Sequence, residues 1–264
     1  AQGAIEKPLV FDGNDRPGIM MAGAAQTFLN RFGVKVGNSP VVVTSHDSAW
    51  YAAFDISDSG GRVAAIVDTR VEIASHLLKE ASARSIEVQL SHTVTGSRGR
   101  KRVSAIRVNA MQTGRVGVAR WIDCDAVLMC GGWTPSLHLF SHTQGKLDWD
   151  ANAGVFLPGK KTENCEIAGA GRGLWGIAAV LQDGAKAAAT VVDILGKIGN
   201  TMNFAVSSDR IGTGTLHKEL PTDGNPSRAR AFIDFQNDVT AKDIRLAVKE
   251  GMRSIEHVKR YTTN

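Results

Sequence analysis

The 264-residue sequence predicts an α/β protein with a parallel sheet of the doubly wound type. Short runs rich in β-branched residues are typical of strands buried on both faces, and segments with helical spacing separate them. The first three runs are Val41–Thr44, Val63–Asp68 and Ile86–Leu90, and a fourth, Asp125–Cys130, comes later. Because strands and helices alternate, we expect the first three strands in one parallel sheet with crossover helices.

Helices and antiparallel strands are predicted around these runs. Pro17 suits the first turn of a helix, and Gly33 ends the apolar pattern that follows it. The predicted helices cover residues 17–33, 49–59, 71–83 and 174–198. The predicted antiparallel strands, 92–96, 103–110 and 116–122, form a meander, and one further strand is expected at Asn164–Ala168.

Composition and charge exclude several functions. The net charge is +5 and aromatic residues make up 6% of the chain, too little for the cationic, stacking surface of a nucleic-acid-binding protein. Asp183, Lys186 and Asp193 interrupt the most apolar helix, so no membrane-spanning segment is predicted. The three cysteines have neither zinc-ligand spacing nor a disulfide pattern, which favours a reducing, cytoplasmic location.

The strongest local motif follows the strand predicted at Asn164–Ala168. Gly171-Arg-Gly-Leu-Trp-Gly176 fits the G-x-G-x-x-G pattern and opens a helix, where glycines let the backbone approach a ligand and free N–H groups attract phosphate. The candidate cofactor-binding residues are Gly169, Gly171, Gly173 and Trp175. The following βαβ unit, with an acidic residue at the end of its strand, is missing, because the long helix leads into a linker. A tight turn that packs the helix against a sheet would have the same pattern.

A second candidate segment follows the strand predicted at Asp125–Cys130. Gly131, Gly132 and Trp133 lie where open α/β sheets bind ligands, beyond the carboxyl ends of strands. Trp133 and Trp175 are large enough to stack on an adenine or to cover a flavin. The glycines could equally form an ordinary turn, and the tryptophans could cover the core.

The junction Thr44–Ser48 lies where a nucleotide-binding domain holds phosphate, but it contains no glycine. Asp68 ends the next strand, at the ribose-binding position of such folds, and Arg70 after it could instead meet a 2′-phosphate. Without phosphate-binding glycines, we expect a degenerate site in which Asp68 and Arg70 are solvated turn residues. No catalytic residue is predicted, because the polar residues of the junction are neighbours in sequence and not a folded triad.

Residues 231–264 predict a small helical tail. Thr240 and Asp243 have the spacing of a helix start, and Ser254 begins a second helix. Residues 228–264, which include the tail, carry more than half of the net positive charge, and the tail is too short to bury a core of its own. We therefore expect an interface element in which Lys259 and Arg260 face an acidic partner or a flavin phosphate. A solvated helix face would have the same charge.

These changes of pattern predict the domain boundaries. Residues 1–37 and 124–199 would form an incomplete dinucleotide-binding domain, and residues 38–123 an inserted nucleotide-binding-like domain that includes the meander. Residues 200–230, rich in glycine, proline and polar residues, are predicted to be a linker before the tail at 231–264. The insertion requires Asp125–Cys130 to lie in a different sheet from Val41–Thr44.

The order of elements resembles the second half of a flavoprotein reductase with two FAD/NAD(P)-binding, Rossmann-like domains. More specifically, several strings resemble the α subunits of heterotetrameric sarcosine oxidases. They are Asn14–Ala24, Asn30–Gly33, Cys130–Pro135, His138–Ser141, Gly145–Trp149, Phe232–Asp243 and Ser254–Thr262. The resemblance extends over almost the whole chain.

This resemblance implies oxidative demethylation of sarcosine to glycine, with formaldehyde or methylene-tetrahydrofolate and hydrogen peroxide as the other products. It implies NAD in the α subunit, in a pocket whose walls include Gly131–Trp133 and Gly169–Gly176. It also implies FAD in the β subunit, FMN at the α/β interface and tetrahydrofolate as a co-substrate. The implied partners are β, γ and δ subunits and a small secondary amine. We expect the chain to be an internal segment of the subunit that lacks the first glycine-rich βαβ unit and the folate-binding domain. Alone, this segment should be inactive and should bind dinucleotides weakly or not at all.

Two other functions fit the same pattern. One is a subunit of a related oxidoreductase that acts on another secondary amine, such as an opine or proline. The other is a non-catalytic scaffold that docks flavin-bearing subunits. Relatives that act on opines often carry an iron–sulfur cysteine cluster in the tail, and residues 228–264 contain no cysteine. This difference partly separates the first alternative from sarcosine oxidase.

Overall fold

The fold is given by a computed structural model that describes residues 3–112, 115–199, 202–206, 212–215, 220–222, 225 and 228–263. The chain divides into two compact units. Unit 1 consists of Ala1–Lys7 and Gly132–Leu216, and unit 2 consists of Pro8–Gly131 and His217–Asn264.

The described strands are β1 (Ala4–Glu6), β2 (Ile19–Met21), β3 (Val41–Thr44), β4 (Ala65–Asp68), β5 (Val88–Gln89), β6 (His92–Arg98), β7 (Ala105–Gln112), β8 (Arg115–Asp123), β9 (Val127–Cys130), β10 (Trp133–Pro135), β11 (Leu147–Asp150), β12 (Val155–Pro158), β13 (Phe232–Asp234) and β14 (Val239–Thr240). The α-helices are α1 (Ala22–Phe32), α2 (Ser48–Asp58), α3 (Ser75–Ala83), α4 (His138–His142), α5 (Ile177–Ile194), α6 (Ala241–Lys249) and α7 (Ile255–Thr262). A 3-10 helix covers Gly169–Arg172.

Unit 2 is built on a five-stranded parallel sheet with the order β2-β9-β3-β4-β5. In its middle, Val42 of β3 lies between Leu128 of β9 and Ile66 of β4. Every residue of β3, β4 and β9 is buried, as expected for strands with neighbours on both edges and cover on both faces. The predicted strands at 41–44, 63–68 and 86–90 are confirmed, the latter two with shorter bounds.

The two faces of this sheet are covered differently. Helices α1, α2 and α3 contribute to one apolar cluster, in which Trp50 and Leu77 are fully buried. On the other face, the antiparallel meander β6-β7-β8 packs Val94, Ile106 and Val108 into a second cluster. The predicted meander is confirmed, and it takes the place that a second layer of helices has in a doubly wound fold.

The domain boundaries differ from the predicted ones. Strand β9 pairs with β3 from Val41 and Val127 to Thr44 and Cys130, and it pairs with β2 on its other edge. Residues 38–123 are therefore not an inserted domain, and residues 8–131 form one unit with a single parallel sheet. The physical reason is that a fully buried strand such as β3 needs hydrogen-bonded neighbours on both edges, and β9 supplies the second.

Unit 1 contains two antiparallel strand pairs, β1 with β10 and β11 with β12, followed by the 3-10 helix and α5. The strand predicted at Asn164–Ala168 is wrong, because this described segment has no strand pairing, and an apolar run becomes a strand only where a neighbour pairs with it. Helix α5 begins at Ile177 and not at Leu174, since Gly173 and Gly176, with φ of 74° and 93°, interrupt the helix.

Among the residues that the structure describes, no helix is both long enough and apolar enough to cross a membrane. Much of the linker predicted at 200–230 lies outside the described residues.

The two tail helices follow the predicted start signals. Thr240 and Asp243 form a capping box at the start of α6, and hydrogen bonds from the side chain and backbone of Thr240 lower the pKa of the Asp243 carboxyl. The hydroxyl of Ser254 accepts the His257 N–H at 3.2 Å at the start of α7. Both predicted helices are confirmed.

The side chain of Asn14 anchors the tail to the rest of unit 2. Its Nδ2 donates to the carbonyl oxygens of Leu9, at 3.1 Å, and Phe232, at 2.9 Å. Its Oδ1 accepts the N–H of Phe232 at 2.8 Å, and Asn14 is 1% exposed. The tail is thus held by buried polar contacts outside itself, as expected for a segment too short to fold alone.

We predict that Asn14→Ala destabilises the protein by about 3 kcal/mol, because it leaves two carbonyl groups and one N–H without their partner. Denaturant unfolding measures the loss, and hydrogen exchange of residues 232–262 should rise. The control is Asn30→Ala, since the exposed Asn30 amide donates to Asp55 at 2.7 Å and its loss should cost about 0.5 kcal/mol or less. Equal losses in the two variants would contradict the anchoring role.

Candidate functional site

The glycines of the predicted cofactor-binding turn are required by the turn itself. Gly169 and Gly173 have φ of 69° and 74°, in the left-handed region that favours glycine. A Cβ on Gly173 would lie 2.8 Å from Cδ2 of Leu157, and one on Gly169 would lie 3.0 Å from Cγ1 of Val180. These contacts support the interpretation in which Gly169 and Gly173 allow close packing. They do not by themselves indicate a bound ligand.

Asp183 of α5 fixes the position of this turn. Its Oδ2 accepts the N–H of Gly169 at 2.8 Å, and its Oδ1 pairs with Nη1 of Arg172 at 2.7 Å. The aspartate is 8% exposed, so its bond to Gly169 is shielded from water, whereas the Arg172 side of the ion pair is half-exposed. Sequence reasoning missed this role. The signal that could have found it is the position of a charged residue within an otherwise apolar helix.

The start of α5 is the part of the turn that can hold an anion. Gly176 offers no capping side chain, and the first turn of the helix contains no acidic residue. The positive end of the helix dipole lies at this point and favours a negative group. The half-exposed guanidinium of Arg172 belongs to the same turn, where it is paired with Asp183. A dinucleotide phosphate fits this chemistry, whereas residues 169–176 include no carboxylate for a ribose.

The structure divides the second predicted segment between the two units. Gly131 ends the parallel-sheet part of unit 2, while Gly132 and Trp133 belong to unit 1. The carbonyl of Gly132 accepts the Lys7 N–H at 2.8 Å, and Trp133 is partly buried on β10, opposite Glu6. Strand β10 contacts the 3-10 helix. Within unit 1 the structure thus brings the Gly132–Trp133 segment close to the glycine turn.

Asp68 and Arg70 are not the solvated turn residues that we expected. Their exposed fractions are 0% and 8%, and Arg70 pairs with both Asp68 and Asp47, each at 2.7 Å. Burial disfavours the charged guanidinium, yet its hydrogen bonds to the two carboxylates raise the pKa of Arg70 above its usual value. The prediction was wrong because exposure was assumed for charged residues after a strand, whereas a paired charge can be buried.

The sequence of the chain is similar to those of curated proteins of one family. The chain is 38% identical over its whole length to sarcosine oxidase subunit alpha of Rhizobium meliloti (strain 1021), and 34% identical to that of Corynebacterium sp. (strain P-1). Over its whole length this chain is similar to part of these sarcosine oxidase α subunits. It spans 26% and 28% of the length of these two relatives. A family model described as the sarcosine oxidase A3 domain matches residues 228–264, which correspond to the tail. The predicted resemblance is confirmed.

Solved structures give the fold. The L-proline dehydrogenase from P. horikoshii matches all of this chain and 48% of its own, with a TM-score of 0.63 and 16% identity. The thioredoxin reductase of T. acidophilum matches 73% of this chain and 64% of its own, with a TM-score of 0.52 and 19% identity. At these identities the likeness shows the fold alone. The predicted α/β fold of the flavoprotein reductases is confirmed.

We predict opposite effects for two glycine substitutions in unit 1. Gly173→Ala should destabilise the protein by about 1–2 kcal/mol through its left-handed backbone, with a further loss from the clash at Leu157. Gly184→Ala should stabilise it by about 0.5–1 kcal/mol, because Gly184 lies inside α5 with open space where its Cβ would be. Denaturant unfolding of both variants checks the signs. A neutral Gly173→Ala would show that the turn is not fixed as described.

Proposed function

We propose that the chain is the part of a sarcosine oxidase α subunit that supplies a nucleotide-binding region and a surface for partner subunits. The observation that carries this proposal is the 38% identity over the entire chain to a sarcosine oxidase subunit alpha. A match over both units, and not over one motif, supports a shared role for the whole segment. A cytoplasmic location is part of the proposal, supported by three cysteines none of which forms a disulfide bond.

In the proposed reaction sarcosine, O2 and water give glycine, formaldehyde and hydrogen peroxide, or the one-carbon unit passes to tetrahydrofolate. The proposed partners are β, γ and δ subunits, with FAD in the β subunit and FMN at the α/β interface. We assign no catalytic residue to this chain. Its residues would bind and orient a nucleotide and hold the partner surfaces in place, while flavins supply the redox chemistry when bound.

The proposed NAD site uses the predicted residues that lie in unit 1: Gly132, Trp133, Gly169, Gly171, Gly173 and Trp175. Its support is the start of α5, where the helix dipole favours a phosphate group and the first turn contains no acidic residue. NAD would supply a hydride-accepting nicotinamide when bound. Because residues 169–176 offer no carboxylate to a ribose, binding to this chain alone should be weaker than micromolar.

The reaction is tested in the assembled complex. The α subunit that contains this chain is produced with its partner subunits, and hydrogen peroxide is measured with sarcosine, L-proline and an opine as substrates. The proposal expects peroxide from sarcosine and little from the other two amines. Turnover of proline or an opine in place of sarcosine would favour the related-oxidoreductase alternative, and no turnover of any amine would favour the scaffold.

The tail is the proposed partner surface. Apolar side chains of α6 and α7 remain exposed, among them Val248 at 58% and Ile255 at 71%. Lys259 and Arg260 lie in the last turn of α7, and the contact of Lys259 with Glu256, at 3.9 Å between exposed groups, neutralises little of that charge. Exposed apolar residues beside cations suit an acidic partner or a flavin phosphate.

We predict that Lys259→Glu with Arg260→Glu, made in the complete α subunit, lowers both β-subunit association and FMN content, because it reverses the charge at the proposed interface. Association is measured by co-purification and FMN by absorbance after release. The control is Arg62→Glu with Lys79→Glu, which makes the same charge change at exposed positions of unit 2 outside the tail. If both double variants assemble and load flavin as the wild type does, the interface role of Lys259 and Arg260 is lost.

A further inference from the structure

We infer that the nucleotide cleft of unit 2 is closed by the protein's own side chains, so that unit 2 has the fold of a dinucleotide-binding domain and binds no dinucleotide. In open α/β sheets such a ligand lies beyond the carboxyl ends of the strands, here at the junctions that follow β3 and β4. The inference depends on the contacts at these two junctions and not on the reaction proposed above.

At the ribose position, the carboxylate of Asp68 has no hydrogen-bond acceptor site left for a ligand. Asp68 stands at the end of β4, where the corresponding carboxylate in such folds accepts hydrogen bonds from ribose hydroxyls. Its Oδ1 accepts the backbone N–H of Arg70 at 2.9 Å and the Arg70 Nε–H at 3.0 Å. Its Oδ2 accepts Arg70 Nη2 at 2.7 Å and Trp50 Nε1 at 2.9 Å. A carboxylate has about four acceptor sites. Four donors from the protein therefore occupy the capacity that a ribose would need.

The phosphate position has lost its donors in the same way. In a phosphate-binding turn, backbone N–H groups after the first strand point at the ligand. Here the N–H of Ser45 donates to the carbonyl of Cys130 at 3.1 Å. The N–H of His46 donates to Thr44 Oγ1 at 2.9 Å, and the N–H of Ser48 donates to His46 Nδ1 at 3.1 Å. Three backbone donors of the junction, on Ser45, His46 and Ser48, are thus paired within the protein, and side chains stand where glycines would admit a pyrophosphate.

The charge of the closed cleft also opposes a nucleotide. Asp47 and Asp68 are negative and Arg70 is positive, and all three are at least 92% buried. The net charge of this cluster is −1, so a pyrophosphate would meet repulsion in a region with little water to screen it. Withdrawing Arg70 to admit the ligand would leave two buried carboxylates without their cation, which is more costly still.

Arg70 therefore makes, within unit 2, the contacts between the strand ends and the following helix that a bound ligand makes in a dinucleotide-binding domain. It joins the end of β4 to Asp47 at the start of α2, next to the end of β3. Trp50 of α2 adds a second link to Asp68. It follows that NAD bound by this chain would have to be held outside this cleft.

The test is hydrogen exchange of the full chain with and without saturating NAD, read peptide by peptide. We expect no protection of residues 44–50 and 68–70, whether or not NAD binds elsewhere. Protection of these segments would overturn the inference. Protection of residues 169–176 reports separately on the NAD site proposed in unit 1, so its absence would count against that site and not against the closed cleft.

Two isosteric variants give an independent readout. If Asp68 held a ribose, Asp68→Asn would weaken NAD binding about tenfold, the effect of losing one charge-assisted hydrogen bond. We expect nucleotide titration to give the same curve for Asp68→Asn and wild type. The matched variant Asp183→Asn alters the carboxylate that positions the unit 1 turn. Weaker NAD binding in Asp68→Asn than in Asp183→Asn, with both folded by circular dichroism, would overturn the inference.

Discussion

The interaction on which unit 2 depends is the buried pairing of Arg70 with Asp68 and Asp47. A guanidinium that is 8% exposed is tolerable only when carboxylates surround it, and each carboxylate in turn needs the cation. These mutual requirements fix the carboxyl ends of the central parallel strands relative to the start of α2. The helices on one face of the sheet and the meander on the other then pack against strands whose ends cannot move apart.

The junction after β3 and β4 in unit 2 and the glycine turn before α5 in unit 1 reach different outcomes from related chemistry. In unit 2, Arg70 satisfies two carboxylates and leaves a cluster closed to anions. In unit 1, Asp183 satisfies the N–H of Gly169 and pairs with Arg172, and the start of α5 is left without a capping side chain or an acidic residue. An aspartate inside the helix can anchor a turn without blocking the helix end. For this reason unit 1 is the part of the chain that we propose to bind a nucleotide.

Much of the fold could be predicted from the sequence, because its signals are local. The all-buried run Val41–Thr44, the meander and the capping box at Thr240 each follow from residues close together in the chain. The pairing of β9 with β3 could not be predicted, since it joins residues 86 positions apart through a pattern that any buried strand shares. The strand expected at Asn164–Ala168 failed for the same reason: apolar character does not say whether a partner strand exists. Of the candidate site, the glycine turn was found by its spacing, whereas the roles of Asp183 and Arg70 come from side chains that meet only after folding.

The most direct test of this account is a double-mutant cycle on Asp68 and Arg70, with the free energy of unfolding measured for Asp68→Asn, Arg70→Gln, the double variant and wild type. Because a buried charge left alone is costly, each single variant should lose about 3 kcal/mol and the double variant much less than twice that, giving a coupling of about 2 kcal/mol or more. The exposed pair Arg84 and Asp58, also at 2.7 Å, serves as the control and should show a far smaller coupling. A coupling between Asp68 and Arg70 below about 0.5 kcal/mol would contradict the account, because the two residues would then be stabilising unit 2 independently.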